Sequence, residues 1–212
     1  MKTPLYTVLL ATGNQGKIKE LSDLLSSHNL VVLGLENFPQ LAEVEEDGHT
    51  FMANALKKAR YAAATAGIYA IADDSGLMVD ALGGAPGVYS ARYSDKLENG
   101  RLIPGTDATN IAKLLAELQD VPAPERKARF CCAVAAVSPD GREITAEGFW
   151  DGSIALAPKG TNGFGYDPVF IDSHSGLHAA ELSPAEKNAR SHRGKALAAL
   201  LAQWNGFWRP AP

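Results

Sequence analysis

Cysteine is almost missing from this chain. There are two in 212 residues, Cys131 and Cys132, and they are neighbours. In a strand they would point to opposite faces, which does not suit a structural disulfide, so the usage fits a reducing compartment. Long hydrophobic runs are missing as well. The apolar stretch 8–11 is interrupted at once by turn residues, so it reads as neither a signal peptide nor a spanning helix, and the expected location is cytoplasmic. Nor is positive charge in excess: 20 Lys and Arg stand against 24 Asp and Glu, for a net charge of −4. Nothing global therefore suggests a nucleic-acid or membrane-surface binder, and an anionic substrate would have to find its cations locally. Internal repeats and low-complexity segments are absent. So is any nucleophile with a partner base nearby in sequence.

What is present is an alternation of strand and helix signals with one hairpin. This predicts an α/β fold: a mixed central sheet flanked by helices, in two lobes around a nucleotide-binding cleft, with residues 1–212 as a single domain. A short apolar run at 6–11 reads as a buried strand. After it come Thr12, Gly13, Asn14, Gln15, Gly16 and Lys17, and then Ile18, Leu21, Leu24 and Leu25 at helical spacing. Strand, Gly-rich turn and helix together aim backbone N–H groups and a helix N-terminus at an anion. Lys17 lies in the first turn, where the helix dipole disfavours a cation, and a phosphate partner would explain it. The turn is not a Walker A loop, because the spacing is G-x-x-G-K and Ile18 follows.

The stretch 70–93 carries two adjacent acids, Asp73 and Asp74, followed by Ser75 and Gly76. It is read here as a strand ending in a turn, with the two acids placed to hold a divalent metal. Magnesium takes oxygen ligands and keeps several waters, so one or two carboxylates plus substrate phosphates are enough. Upstream, Glu43 to Gly48 form an acidic loop, and one of its acids can reach Asp73 and Asp74; the pattern leaves open which. Thr50 is the expected cap of an Ala-rich helix that stops at Gly67.

Residues 95–107 lack periodicity and read as a surface loop. Asp107 or Thr109 is the expected cap of a helix over 108–119. Two strands flank residues 138–142, a hairpin signal; neither alternates cleanly, which suggests cover on both faces. Residues 159–170 form a Gly-rich loop edged by Phe164 and Tyr166, open enough for a flat ring to approach. Ser183, Pro184 and Glu186 make a capping box. Lys187, His192 and Arg193 follow as a gathering of positive charge in an acidic protein. A metal-holding acid pair, a phosphate-cradling turn, scattered cations and an aromatic loop suit a nucleotide polyphosphate. Water attack with a carboxylate as proton acceptor is the economical mechanism.

Four motifs then resemble one family. They are T-G-N-Q-G-K-x-x-E at 12–20, A-D-D-S-G-L-x-V-D-A-L-G-G-A-P-G-x-Y-S-A-R-Y at 72–93, G-F-G-Y-D-P-V-F at 163–170 and E-K-N-A-R-S-H-R-G at 186–194. Together they resemble the inosine triphosphate pyrophosphatase family, whose members act on dITP, ITP and XTP. The resemblance implies Mg²⁺-dependent release of pyrophosphate by a homodimer, while composition and charge give the expectation of a cytoplasmic protein that binds neither nucleic acid nor membrane. It implies that Thr12, Gly13, Asn14, Gln15, Gly16 and Lys17 hold the triphosphate, that Asp74 is the proton acceptor, and that Glu45 and Asp74 bind the metal. Ser75 would contact substrate. Phe164, Gly165, Tyr166 and Asp167 would stack on and read the base, with Lys187, His192 and Arg193 completing the site and donors such as His192 or Arg193 meeting a 6-oxo group. One departure stands out: Ala53 occupies a position where the family usually has an acid.

Overall fold

The structure is a computed structural model and describes residues 6–25 and 30–208; the outermost residues of the predicted 1–212 span, Lys2 among them, lie outside the described residues. In chain order the elements are β1 (Tyr6–Leu10), α1 (Gln15–Leu25), β2 (Leu30–Leu33), α2 (Phe51–Ala66), β3 (Tyr69–Val79), β4 (Lys96–Glu98) and β5 (Arg101–Ile103). They continue with α3 (Asp107–Glu117), β6 (Lys127–Val137), β7 (Glu143–Ile154), β8 (Phe170–Asp172), α4 (Pro184–Arg190), α5 (His192–Ala202) and α6 (Trp204–Phe207). Six strands form one sheet in the order β2-β1-β3-β6-β7-β8. β1 pairs in parallel with both β2 and β3, while β7 and β8 are antiparallel, so the sheet is mixed as the sequence predicts.

The chain divides into two compact units. The first takes the described residues of Met1–Asp74, Cys132–Gly148 and His192–Pro212; the second is Ser75–Cys131 with Phe149–Ser191. Each has its own core. In the first, Val8 and Leu10 of β1, Ile71 of β3 and Val134 of β6 meet Leu21 and Leu25 of α1 and Leu197 and Leu200 of α5. The i,i+3 and i,i+4 spacings place each helical pair on one face, the condition for an amphipathic helix to lie on a sheet. In the second, Leu77 and Val79 pack with Leu114 and Leu118 and with a ring cluster. The Phe170 ring lies 4.6 Å from Phe130 and 5.0 Å from Trp150, distances at which aromatic pairs attract.

Several sequence expectations are corrected. Residues 73–76 are not a turn: β3 runs eleven residues straight through them. Asp, Ser and Gly favour turns locally, but β3 continues as a strand past the end of its β1 pairing, beside its other sheet neighbour β6, and sheet context overrides that preference. Residues 95–107 contain a hairpin, β4 and β5, with Leu97 opposite Leu102. Asn99 and Gly100 form its two-residue turn with φ of 51° and 76°, the left-handed geometry of a type I′ connection. The cap of α3 is Thr106, which accepts from the Thr109 N–H, while Thr109 Oγ1 accepts from the Thr106 N–H at 2.7 Å. β7 does alternate between exposed and buried over residues 147–151, so only β6 is buried along most of its length. The predicted caps of α2 hold: Thr50 accepts from the Ala53 N–H, and Gly67 closes the helix with φ 68°.

A core substitution and a hairpin substitution separate these roles. Leu77→Ala, at a fully buried position, is expected to cost roughly 2–5 kcal/mol in equilibrium urea unfolding. Leu97→Ala, on the exposed hairpin, is expected to stay within about 0.5 kcal/mol of the parent.

Candidate active site

In the first unit, the register of β1 on β3 decides what meets what. Leu10 pairs with Ile71, and the Ala11 N–H donates to the Ile71 carbonyl at 2.8 Å, so β1 ends two residues short of Asp73 on its neighbour. The turn 12–14 thus leaves the carboxyl end of a parallel strand beside the acid pair, the place where open α/β sheets bind ligands. The Asn14 side chain accepts from the Lys17 N–H at 3.1 Å and caps α1, which begins at Gln15. Thr12 Oγ1 accepts from the Asn14 N–H at 3.3 Å. Gly13, Asn14 and Gln15 are exposed, and a side chain added at Gly13 would meet nothing within 4 Å. The turn is therefore shaped by its own polar side chains and open above.

Asp73 and Asp74 are successive residues of a strand and project to opposite sides. Asp73 is fully buried. Its Oδ2 lies 3.2 Å from both Lys17 Nζ and Arg193 Nε, and the Cys132 thiol is 3.9 Å away. Arg193 is itself 2% exposed and also bonds Glu20 on α1. Burial pushes the Asp73 carboxyl up, but the charges of Lys17, Arg193 and Lys58 outweigh it and hold the group well below the usual carboxylate range. Asp74 goes the other way. Burial raises it, Lys58 and Lys17 oppose, Glu46 adds a like charge and Asn54 donates a hydrogen bond at 2.9 Å; the net shift is upward. Two neighbouring carboxyls pushed apart in this way divide the work: one stays a fixed anion, the other is poised to take a proton.

α2 supplies the other wall of this group. Asn54 and Lys58 lie one turn apart on the same helix face. Lys58 Nζ donates to the Asp73 carbonyl at 2.7 Å and to Glu46 Oε1 at 2.5 Å. Burial lowers its pKa, yet Asp73, Glu46 and Asp74 more than restore it, so it remains an ammonium. The loop that carries Glu46 alternates, with residues 44, 46 and 48 half-buried and 45 and 47 exposed.

The second unit holds a separate cluster. Asp167, 2% exposed, accepts from Lys187 Nζ at 2.5 Å and from the Phe164 N–H at 2.9 Å. The Lys187 ammonium also lies 5.0 Å from the centroid of the half-buried Phe164 ring, a cation–π distance. Gly163 has φ 76°, and a Cβ there would fall 1.9 Å from Asp167 Oδ2, so only glycine allows the carboxylate to close this loop. The Gly165 N–H donates to Asp107 at 2.7 Å, which ties the loop to the start of α3.

The model of the Ham1 family matches residues 8–203. This chain belongs to the Ham1 family. It is 61% identical over 205 residues to the dITP/XTP pyrophosphatase of Nitratidesulfovibrio vulgaris, covering 96% of this chain and 98% of that protein. It is 52% identical over 202 residues to the protein of the same name from Geobacter sulfurreducens, covering 94% and 98%. Among solved structures, the HAM1 protein of Coxiella burnetii superposes with a TM-score of 0.83 at 40% identity, over 95% of this chain and all of that one.

Within this Ham1 fold the sequence-predicted residues separate into groups. Thr12, Gly13, Asn14, Gln15, Gly16 and Lys17 are collected at one strand end with Asp74, as expected. Ser75 follows Asp74 on β3, half-buried, in the second unit. Phe164, Gly165, Asp167 and Lys187 are collected in the second unit's loop cluster. Tyr166 is corrected: it is 5% exposed in the core and its hydroxyl donates to the Ser90 carbonyl at 2.8 Å, so it anchors the loop and offers no face to a base. In the acidic loop the alternation turns Glu46 inward to Lys58 and leaves Glu45 exposed. Arg193 and His192 begin α5 as buried residues, 2% and 5% exposed, and Arg193 is committed to Asp73 and Glu20 instead of being presented to a ligand. Ala53, by contrast, is exposed.

Asn54 and Glu20 were missed as site residues. Glu20 stands inside the T-G-N-Q-G-K-x-x-E motif, and Asn54 lies four residues before Lys58, so helical spacing from the two lysines would have found both.

The ion cluster around Asp73 sets an acid limit. A carboxyl depressed in the folded state stabilises the fold above its unfolded pKa, about 3.9, and that stability is lost as pH falls. Melting temperature is therefore expected to drop below about pH 4. At neutral pH, Asp73→Asn leaves buried cations without their anion and is expected to cost about 3–5 kcal/mol, read by urea unfolding.

Proposed function

We propose that this chain hydrolyses non-standard purine nucleoside triphosphates, namely dITP, ITP and XTP, to the monophosphate and pyrophosphate. Such an activity removes deaminated purines before they enter DNA or RNA. The observation that carries the reading is the different setting of two adjacent acids: Asp73 is paired with Lys17 and Arg193, while Asp74 is bonded by Asn54 and pushed upward by burial, so it is the one able to accept a proton from attacking water. The names of the Ham1 relatives point the same way.

The residues fit a hard divalent cation. Among the described residues no group of three or more His, Cys, Asp or Glu side chains is placed to hold a metal. Magnesium does not need one, since two carboxylates, waters and substrate phosphates complete its octahedron. Glu46 and Asp74 are the two acids that would hold it, with Glu46 paired to the Lys58 ammonium in this structure. When bound, Mg²⁺ supplies a Lewis acid that neutralises phosphate charge and lowers the pKa of water. The chain's own part is to hold the triphosphate at the exposed residues Gly13, Asn14 and Gln15 where α1 starts, neutralise it with Lys17 and Lys58, and take the water's proton on Asp74. In the second unit, Phe164 offers a stacking surface, and the Asp167–Lys187 pair presents a fixed acceptor and donor to a base.

The reading places the protein in the cytoplasm as a homodimer. Its two cysteines are free thiols, and among the described residues no helix is long and apolar enough to cross a membrane.

Product analysis on dITP, XTP, dATP, dGTP and dTTP with Mg²⁺ tests the assignment. Pyrophosphate from dITP and XTP alone supports it, whereas orthophosphate, or binding without turnover, overturns it. Asp74→Asn, nearly isosteric, is expected to stay folded and lose about 10²–10⁴-fold in kcat. Glu46→Gln is expected to raise the half-saturating Mg²⁺ concentration by at least about 10-fold, with Glu45→Gln unchanged; the reverse pattern would restore Glu45 as the ligand. Phe164→Ala is expected to raise KM about 10-fold with little change in kcat, because stacking serves ground and transition states alike.

A further inference from the structure

We propose that Asn54 is a positioning residue that locks Asp74 and the acidic loop to one face of α2; this deepens, and rests on, the reading of Asp74 and Glu46 given above. The side chain of Asn54 is fully buried. Its Oδ1 accepts from the Gly48 N–H at 2.8 Å, and its Nδ2 donates to Asp74 Oδ2 at 2.9 Å. A backbone N–H can only donate, so Gly48 fixes which end of the amide is the oxygen. The NH₂ end is then forced onto Asp74, where it meets a carboxylate oxygen that can only accept when ionised. One amide thus decides two things: the rotation of the Asp74 carboxylate and the place where the acidic loop docks.

The docking has a register. Gly48 is two residues past Glu46, and with its N–H pinned the loop turns Glu46 inward to Lys58 and Asp47 outward to Lys57, at 2.6 Å. A Cβ on Gly48 would lie 2.5 Å from Asn54 Oδ1 and 3.0 Å from the Ala53 Cβ, so the approach exists only because residue 48 is glycine. Helix capping does not account for Asn54, because Thr50 already accepts from the Ala53 N–H at 3.1 Å. A core-filling role does not account for it either, since an apolar side chain of that size would leave the Gly48 N–H without its acceptor.

Two substitutions separate the two arms. Asn54→Asp keeps an acceptor for the Gly48 N–H but cannot donate to an ionised Asp74; Asn54→Ala removes both contacts. Amide hydrogen exchange at Gly48, kcat and KM for dITP, and half-saturating Mg²⁺ are measured on each folded variant and on the parent.

In N54A, Gly48 exchange is expected to speed up at least about 10-fold and half-saturating Mg²⁺ to rise about 10-fold, since groups that orient a metal ligand typically matter by that much. In N54D, Gly48 protection is expected to persist while kcat falls about 10-fold or more at nearly unchanged KM. Unchanged Gly48 exchange in N54A, or parental kcat in N54D, would overturn the proposal, and so would a lowered melting temperature as the sole effect. Parent protein that releases no pyrophosphate from dITP would instead count against the proposed function, and Gly48 exchange would still decide whether Asn54 holds the loop.

Discussion

The buried carboxylate of Asp73 is the constraint around which the first unit is arranged. An unpaired charge at full burial is untenable, so Lys17 from α1 and Arg193 from α5 must converge on it. That convergence aligns the start of α1 with β3, brings the first turn of α5 against the same strand and, through Arg193, recruits Glu20. Lys58 closes the group from α2 by bonding the Asp73 carbonyl. Three helices are thus indexed to one residue of one strand. The open turn 12–14 is aimed as a by-product, since its position follows from where α1 must begin.

The same arrangement explains how adjacent, chemically identical side chains come to differ. The pleat sends Asp73 into the cations and Asp74 towards Asn54 and the acidic loop. Both are desolvated; only the balance of surrounding charge differs. A fold needs no special residue to build an acid–base pair when strand geometry assigns neighbours to different surroundings.

Much of this was legible in the sequence, and the reasons it stopped are physical. Signals carried by local chemistry survived: the Thr50 and Gly67 caps of α2, the Ser183–Glu186 capping box and the strand–turn–helix at residues 12–17 all stand where the pattern put them. Signals that tertiary partners can override did not. D-D-S-G looks like a turn in isolation and stays in the strand because β3 runs on beside β6 after β1 has ended. Tyr166, in a Gly-rich loop, looks available for stacking and is buried because Ser90, 76 residues away in sequence, accepts its hydroxyl. Counting residues along the acidic loop pointed to Glu45, whereas the docking of Gly48 on Asn54, on the helix that follows, turns Glu46 inward. The Asn99–Gly100 turn was legible as a hairpin signal and was passed over.

The contact between Lys58 and Glu46 bears on a different matter, the relation between metal and folding. Four carboxylates (Glu20, Glu46, Asp73 and Asp74) and three cations (Lys17, Lys58 and Arg193) gather in the first unit, so the chain's own charges there come close to cancelling. Proteins whose acidic sites lack internal counter-ions depend on the metal to hold together, and chelators unfold them. Here the chain carries its own counter-ion, Lys58. A chelator should therefore leave the architecture of the unit standing.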